Sequence, residues 1–235
     1  RLHKGNTKVQ LGSKLLKFTE NNGKILAEFE DGTKDEYDII VGADGIHSKV
    51  KESIFGKDFI RSYKSQAWIF NVEGMDEHSS GVLEFSRGRG GLCFISPTSV
   101  SRYVMITTNS NKSKNTKMTP EKSLAELQKI SKDYPPLVQN MVNAINNPKD
   151  LFYDDLRYVE MPKWYKSRAI IIGDAKHAVS PISGMGASMA LEDAYVLADE
   201  LKKNFSNLLP EVAFKNFVRR RDARIKDFRK ISKGN

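Results

Sequence analysis

The stretch that most limits how this chain can fold is Arg168-Ala169-Ile170-Ile171-Ile172, followed at once by Gly173-Asp174-Ala175-Lys176-His177. A short apolar run of β-branched residues, closed by glycine, predicts a buried strand. The chain then passes Pro181 and enters Gly184-Met185-Gly186-Ala187-Ser188. Beyond it Ala187, Ala190, Leu191, Ala194, Leu197, Ala198 and Leu201 fall at helical spacing, with Glu192, Asp193, Asp199 and Glu200 elsewhere on the cylinder. A helix that opens with so little side chain lets a ligand approach its backbone. Its free N–H groups and the positive end of its dipole suit an electron-rich oxygen. Asp174, at the strand end, can accept hydrogen bonds from ligand hydroxyls. An ordinary strand-to-helix turn, in which Gly and Pro only shape the loop, would show the same glycine pattern.

A second segment has the same architecture. Ile39-Ile40-Val41 predicts a buried strand, broken by Gly42 and Gly45. Ser48 is placed to cap a helix from Lys49 towards Phe55, with Gly56 as its stop. Asp44 is then either a ligand-facing carboxylate at a strand end or a plain loop acid.

Together the two segments resemble the single-component, FAD-dependent aromatic hydroxylases. Gly173, Asp174, Ala175, His177, Pro181, Gly184, Gly186, Glu192, Asp193 and Ala194 match that family's second flavin-binding motif. Asp44, Gly45 and Ser48 match its Asp-Gly motif, implicated in the FAD pyrophosphate region and in pyridine nucleotide binding, with Lys51 where the family carries Arg. Lysine keeps the charge and loses the bidentate fork, so an anion contact there should be looser. The order of the motifs along the chain is also the family's.

The resemblance implies FAD contacts from Gly173, Asp174, Pro181, Gly184, Gly186, Ala187, Ser188, Asp44 and Gly45. Asp174 would serve the ribityl or pyrophosphate end, the amides of Ala187 and Ser188 the flavin pyrimidine oxygen, and Pro181 would wall the pocket beside the ring. His177 is expected to be structural. In this family NAD(P)H reduces FAD, O₂ adds to the flavin to form a hydroperoxide, and one oxygen atom passes to a small aromatic or olefinic substrate. The difficult chemistry is the cofactor's, so no catalytic side chain and no metal ligand is assigned. Two alternatives stay open: a related flavin epoxidase, halogenase or reductase, and a truncated, non-catalytic flavoprotein fragment.

The family begins with a strand, a Gly-x-Gly-x-x-Gly turn and a helix that hold the pyrophosphate. Here the glycines of Ser86-Arg87-Gly88-Arg89-Gly90-Gly91 read as a hairpin turn with no helix after it. The chain starts at Arg1, and Arg1-Leu2-His3 resembles the tail of a helix. The expectation is that on the order of a hundred N-terminal residues, including the phosphate-binding unit, are missing. The isolated chain would then hold FAD poorly and not hydroxylate.

The expected fold class is therefore mixed α/β: a Rossmann-like FAD-binding domain lacking its first βαβ unit, over residues 1–60 and 159–235, interrupted by a sheet-rich substrate domain over 61–158. Strands are expected around Lys8–Leu11, Ser13–Thr19, Lys24–Phe29, Tyr37–Ala43, Tyr63–Val72, Gly81–Ser86, Gly91–Ser96, Arg102–Thr108 and Leu151–Tyr158. Asn22-Gly23 and Asp31-Gly32 are hairpin turns, and Asn109–Lys117 a polar loop. Helices follow from Thr119, with Pro120 at its first position, and over Pro136–Ile145. Trp68, Phe70, Phe85, Phe94 and Tyr103 either line a substrate cavity or form plain core. Arg87 and Arg89 either hold a substrate carboxylate or NADPH phosphate or belong to a solvated turn.

The chain has a net charge of +9, which would permit nucleic-acid binding. Its densest basic run, Arg219-Arg220-Arg221, Arg224, Lys226, Arg229, Lys230 and Lys233, lies on a helical stretch over 212–231 and reads as a solvated face. No nucleic-acid signature accompanies it. No apolar run reaches the roughly 18 residues of a membrane span. A single cysteine, Cys93, excludes an internal disulfide and fits a reducing cytoplasm.

Overall fold

The computed structural model describes residues 7–72, 81–85, 89–95, 102–109, 118–181, 184–204 and 210–233. The chain divides into two compact units, Arg1–Arg61 with Tyr158–Asn235, and Ser62–Arg157.

The first unit opens with an antiparallel meander: β1 (Leu15–Asn21), β2 (Lys24–Phe29) and β3 (Lys34–Tyr37). The first hairpin closes on Asn22 (φ 47) and Gly23 (φ 74), the left-handed pair that a two-residue turn requires. In the second, the Asp31 carboxylate accepts from the Thr33 backbone N–H at 2.9 Å and hydroxyl at 2.6 Å. Lys8–Leu11 is not a strand. Its residues are exposed and Gly12 turns the chain at φ 72, so no apolar face is available to pair. The expected strand Tyr37–Ala43 is split. Its start belongs to β3, and its end forms β4 (Ile40–Gly42) in a different sheet.

That sheet has the order β10-β11-β4, with β10 (Tyr165–Lys166) antiparallel to β11 (Ala169–Ile171) and β11 parallel to β4. Helix α1 (Lys49–Phe55) lies against it as expected: the Ser48 hydroxyl accepts from the Lys51 N–H at 2.9 Å, and Gly56 ends the helix at φ 84. Gly42 makes the close packing possible, since a Cβ there would stand 2.7 Å from Val50 Cβ. Helices α4 (Asp174–His177), α5 (Gly186–Asn204) and α6 (Glu211–Lys233) complete this unit. Met189, Val196 and Leu197 of α5 share a core with Phe214, Phe217, Ile225 and Phe228 of α6 and with Trp164.

This is not the α5 face that the alanine and leucine spacing predicts. Leu191 is 73% exposed, and Ala187, Ala194 and Ala198 are also exposed, whereas Asp193 and Glu200 are buried. The acids lie inward because α6 supplies their partners: Arg221 pairs with Asp193 at 2.7 Å and Arg220 with Glu200 at 2.6 Å. Arg221 is correspondingly only 1% exposed, not part of a solvated basic face, and Arg229 is half-buried.

The second unit is built on a five-stranded sheet of order β6-β7-β8-β5-β9: β5 (Ile60–Val72), β6 (Gly81–Phe85), β7 (Arg89–Ile95), β8 (Arg102–Asn109) and β9 (Phe152–Val159). Helices α2 (Pro120–Ser131) and α3 (Pro136–Asn143) pack on it. Thr119 caps α2, accepting from the Lys122 N–H at 3.4 Å. Trp68 and Phe70 lie in the core with Val104, Ile106, Leu127 and Val142. Gly90 and Gly91 belong to β7 and are not turn residues. Gly88, residues 110–117 and the side chains of Phe85, Cys93, Phe94 and Tyr103 fall outside the described set.

Candidate cofactor site

Parallel pairing of β4 and β11 sets Ile171 opposite Gly42, and the Ile172 N–H donates to the Gly42 carbonyl at 3.0 Å. Both chain segments therefore leave the sheet at the same end. The topology thus brings together the Asp44-Gly45 loop and the Gly173-Asp174 turn, which are far apart in sequence.

Gly173 occupies φ 56, ψ −141, in the left-handed half of conformational space that favours glycine. A Cβ there would also stand 3.0 Å from the Ala190 Cβ of α5. Glycine is thus required both by the turn and by the approach of the helix. Asp174 follows as the first residue of α4. It is exposed, and its carboxylate has no partner among the described residues. Gly184 makes the second turn at φ 62, its N–H donating to the Pro181 carbonyl at 2.9 Å. The first bond within α5 runs from the Met189 N–H to Met185 O at 3.0 Å, so the amides of Gly186, Ala187 and Ser188 precede the helical ladder. Gly186 begins the helix beside Asp174: a Cβ there would stand 3.9 Å from Val179 Cγ2 and 4.0 Å from Asp174 Oδ1, ordinary contact distances.

The turn is held from behind by Asp193 and Arg221, to which the sequence reading assigned no role there, together with His177. Asp193 Oδ2 accepts from the Gly173 N–H at 2.9 Å and lies 2.6 Å from His177 Nε2; Oδ1 accepts from Arg221 Nε at 2.7 Å. Burial pushes the Asp193 carboxyl up, but the hydrogen bonds from His177, Gly173 and Arg221 hold it below the usual carboxylate range. His177 is fully buried in this contact, the structural part expected of it. Lys176, also buried, donates to the Met161 carbonyl at 2.8 Å and lies 4.5 Å from the centre of the Trp164 ring. Its burial, with Arg229 nearby, lowers its pKa to about 7. A signal for Arg221 was present: residues 217, 221, 225 and 228 form one stripe at helical spacing, and three of them are Phe, Ile and Phe.

Asp44 is placed differently from Asp174. Its Oδ2 accepts from the Lys49 N–H at 2.6 Å and the Val50 N–H at 3.3 Å, so the carboxylate is committed to the first turn of α1. Gly45 turns at φ 77, and the Ser48 N–H bonds back to its carbonyl at 3.0 Å. Lys51 points inward, donating to Ile46 O at 2.7 Å, and burial lowers its pKa against the pull of Asp44. A cavity of about 680 Å³ opens along β4, bounded by Leu15, Ala27, Phe29, Val41, Asp44 and His47 among others; of the expected site residues only Asp44 lines it.

Residues 1–228 match a family described as the FAD binding domain. This chain belongs to that family. The resemblance to the FAD-dependent aromatic hydroxylases, drawn from the two motifs, is borne out by this match and by the flavin monooxygenases among the relatives of the chain. Over 196 residues it is 26% identical to the 2-heptyl-3-hydroxy-4(1H)-quinolone synthase of Pseudomonas aeruginosa, covering 82% of this chain and 50% of that protein. A flavin-dependent monooxygenase of Legionella longbeachae is 27% identical over 193 residues, covering 80% of this chain and 49% of the relative. The chain thus spans about half the length of the curated relatives it matches. Klebsiella pneumoniae HpxO, solved with FAD and uric acid, shares the fold: TM-score 0.80 at 20% identity, over 95% of this chain and 57% of that one. Among the described residues no helix is long and apolar enough to cross a membrane.

Proposed function

We propose that the protein works as a FAD-dependent monooxygenase, using NAD(P)H and O₂ to place one oxygen atom on a small aromatic or olefinic substrate. The observation that carries this reading is the Asp174 carboxylate, without a partner among the described residues, beside the glycine-lined start of α5 and inside a family match that spans the motif. FAD suits that arrangement. Asp174 would accept hydrogen bonds from ribityl hydroxyls, and the amides of Ala187 and Ser188 would donate to the pyrimidine oxygen. Gly184 and Gly186 would allow the close approach, and Pro181 would wall the ring. Asp44 and Gly45 would serve the pyrophosphate end through the loop they shape, since the Asp44 carboxylate is occupied by α1.

When bound, FAD supplies the two-electron reduction by NAD(P)H and the activation of O₂; the second oxygen atom leaves as water. The residues of this chain contribute position and charge. Amides aimed at the pyrimidine oxygen stabilise negative charge that grows there on reduction. The sheet of the Ser62–Arg157 unit would hold the substrate, and a single cysteine suits a cytoplasmic setting. The test is a flavin absorbance band in the purified protein supplied with FAD, then substrate-stimulated NAD(P)H oxidation with ¹⁸O transfer from ¹⁸O₂ to product. Weak uptake by residues 1–235 alone is the expected result; no FAD uptake by a protein that also carries the phosphate-binding unit would overturn the reading.

A further inference from the structure

We infer that Asp193 is the positioning residue of the flavin-binding turn, and that Arg221 of the C-terminal helix locks it. The inference rests on the proposed flavin site. Asp193 grips both ends of α4: the Gly173 N–H in front of it and His177 at its last position. Asp174 stands between those two holds. The backbone that carries Asp174 is therefore positioned by a second carboxylate on another helix.

Pure stability does not account for this arrangement. Asp193 is 0% exposed and Arg221 1%. A buried ion pair is expensive to desolvate, and well-packed apolar residues in its place are often as stable. What the pair supplies is direction. One Asp193 oxygen serves the turn, and the other is held by Arg221 Nε. Arg221 Nη2 donates to the Met189 carbonyl at 3.2 Å, and Nη1 forms an ion pair with the Glu192 carboxylate. Arg221 thus ties the start of α5, its middle and the turn to one point on α6. With the proton on Nε2, His177 donates to Asp193; its Nδ1 is buried with no hydrogen-bond partner among the described residues, and the ring packs against Trp164 at 5.8 Å between centres.

The test compares Asp193→Asn and Arg221→Lys with Ile225→Ala. Ile225 is a core residue of α6 that touches none of these groups in the hydrogen-bond network. Amide hydrogen exchange is read on the protein without cofactor, and FAD affinity by fluorescence quenching. Asp193→Asn is expected to speed exchange at residues 173–177 and to weaken FAD binding about tenfold. Arg221→Lys, which keeps the charge, should show a smaller shift of the same kind. Ile225→Ala, compared at equal loss of melting temperature, should leave both readouts near wild type. If Asp193→Asn only lowers the melting temperature and matches Ile225→Ala in exchange and affinity, the inference fails. Should Asp193→Asn not fold, Arg221→Lys decides by the same two readouts. Faster exchange confined to 173–177 in a protein that binds no FAD would support the positioning role and overturn the flavin reading instead.

Discussion

Asp44 and Asp174 occupy equivalent places at the ends of neighbouring parallel strands, yet their carboxylates have different duties. Asp44 already accepts two amides of α1; Asp174 accepts from no described residue. Asp174→Ala should therefore leave the melting temperature nearly unchanged while reducing FAD retention. Asp44→Ala should cost about 0.5–2 kcal/mol of stability, as loss of a helix cap does, with a smaller direct effect on FAD. Denaturant melts and the flavin-to-protein ratio after gel filtration separate the two effects. Lys176 makes a different prediction. Its pKa is about 7 in the folded protein against 10.5 for an unperturbed lysine. Between these values the unfolded chain binds a proton that the folded one lacks, so stability rises with pH through that window. The penalty is fully present below pH 7. From pH 7 to 9 this one group should add about 2 kcal/mol. Arg229 and Lys226 favour the neutral amine, while Asp222 and Asp193 oppose it. Lys176→Met should flatten the rise, as read from urea midpoints across that range.

At the scale of single elements, local chemistry was legible and the buried face of α5 was not. Ser48, Gly56 and Thr119 cap the helices where their residue types place them, and β2 spans the expected Lys24–Phe29. These features depend on neighbours in sequence. The buried face of α5 depends on α6, which brings arginines to Asp193 and Glu200, and no pattern within α5 alone reveals that. The glycine of the flavin-binding motif was legible as a residue, but its second reason, the Ala190 contact, needed the packed helix. The two reasons can be separated. Gly32, at φ 83 with open space around it, meets only the backbone cost when replaced by alanine. Gly173→Ala meets that cost and the 3.0 Å approach to Ala190, so it should be the more destabilising of the two, by about 1–3 kcal/mol. Gly42→Ala, at 2.7 Å from Val50, belongs with Gly173. Denaturation midpoints of the three variants check the ranking.

Over the whole molecule, the motifs indicated the family and the mixed α/β class; the pairing of β4 with β11 came only with the structure. Each unit carries one of the two tryptophans, Trp68 in one core and Trp164 in another. Every member of the cluster around Trp68 lies within Ser62–Arg157. A fragment of residues 62–157 should therefore keep blue-shifted Trp68 emission and a cooperative urea transition, whereas residues 1–61 alone, without the partner strand of β4, should not fold. Emission spectra and far-UV circular dichroism decide both. One feature of the sheet bears on how such a chain diversifies. The central unit is entered through β5 and left through β9, adjacent strands, and the Glu160 N–H clasps the Phe59 carbonyl at 2.8 Å just outside them. Entry and exit are thus a single hydrogen-bonded doorway. Whatever is spliced between Phe59 and Glu160 can change in length or sequence while the doorway stays shut.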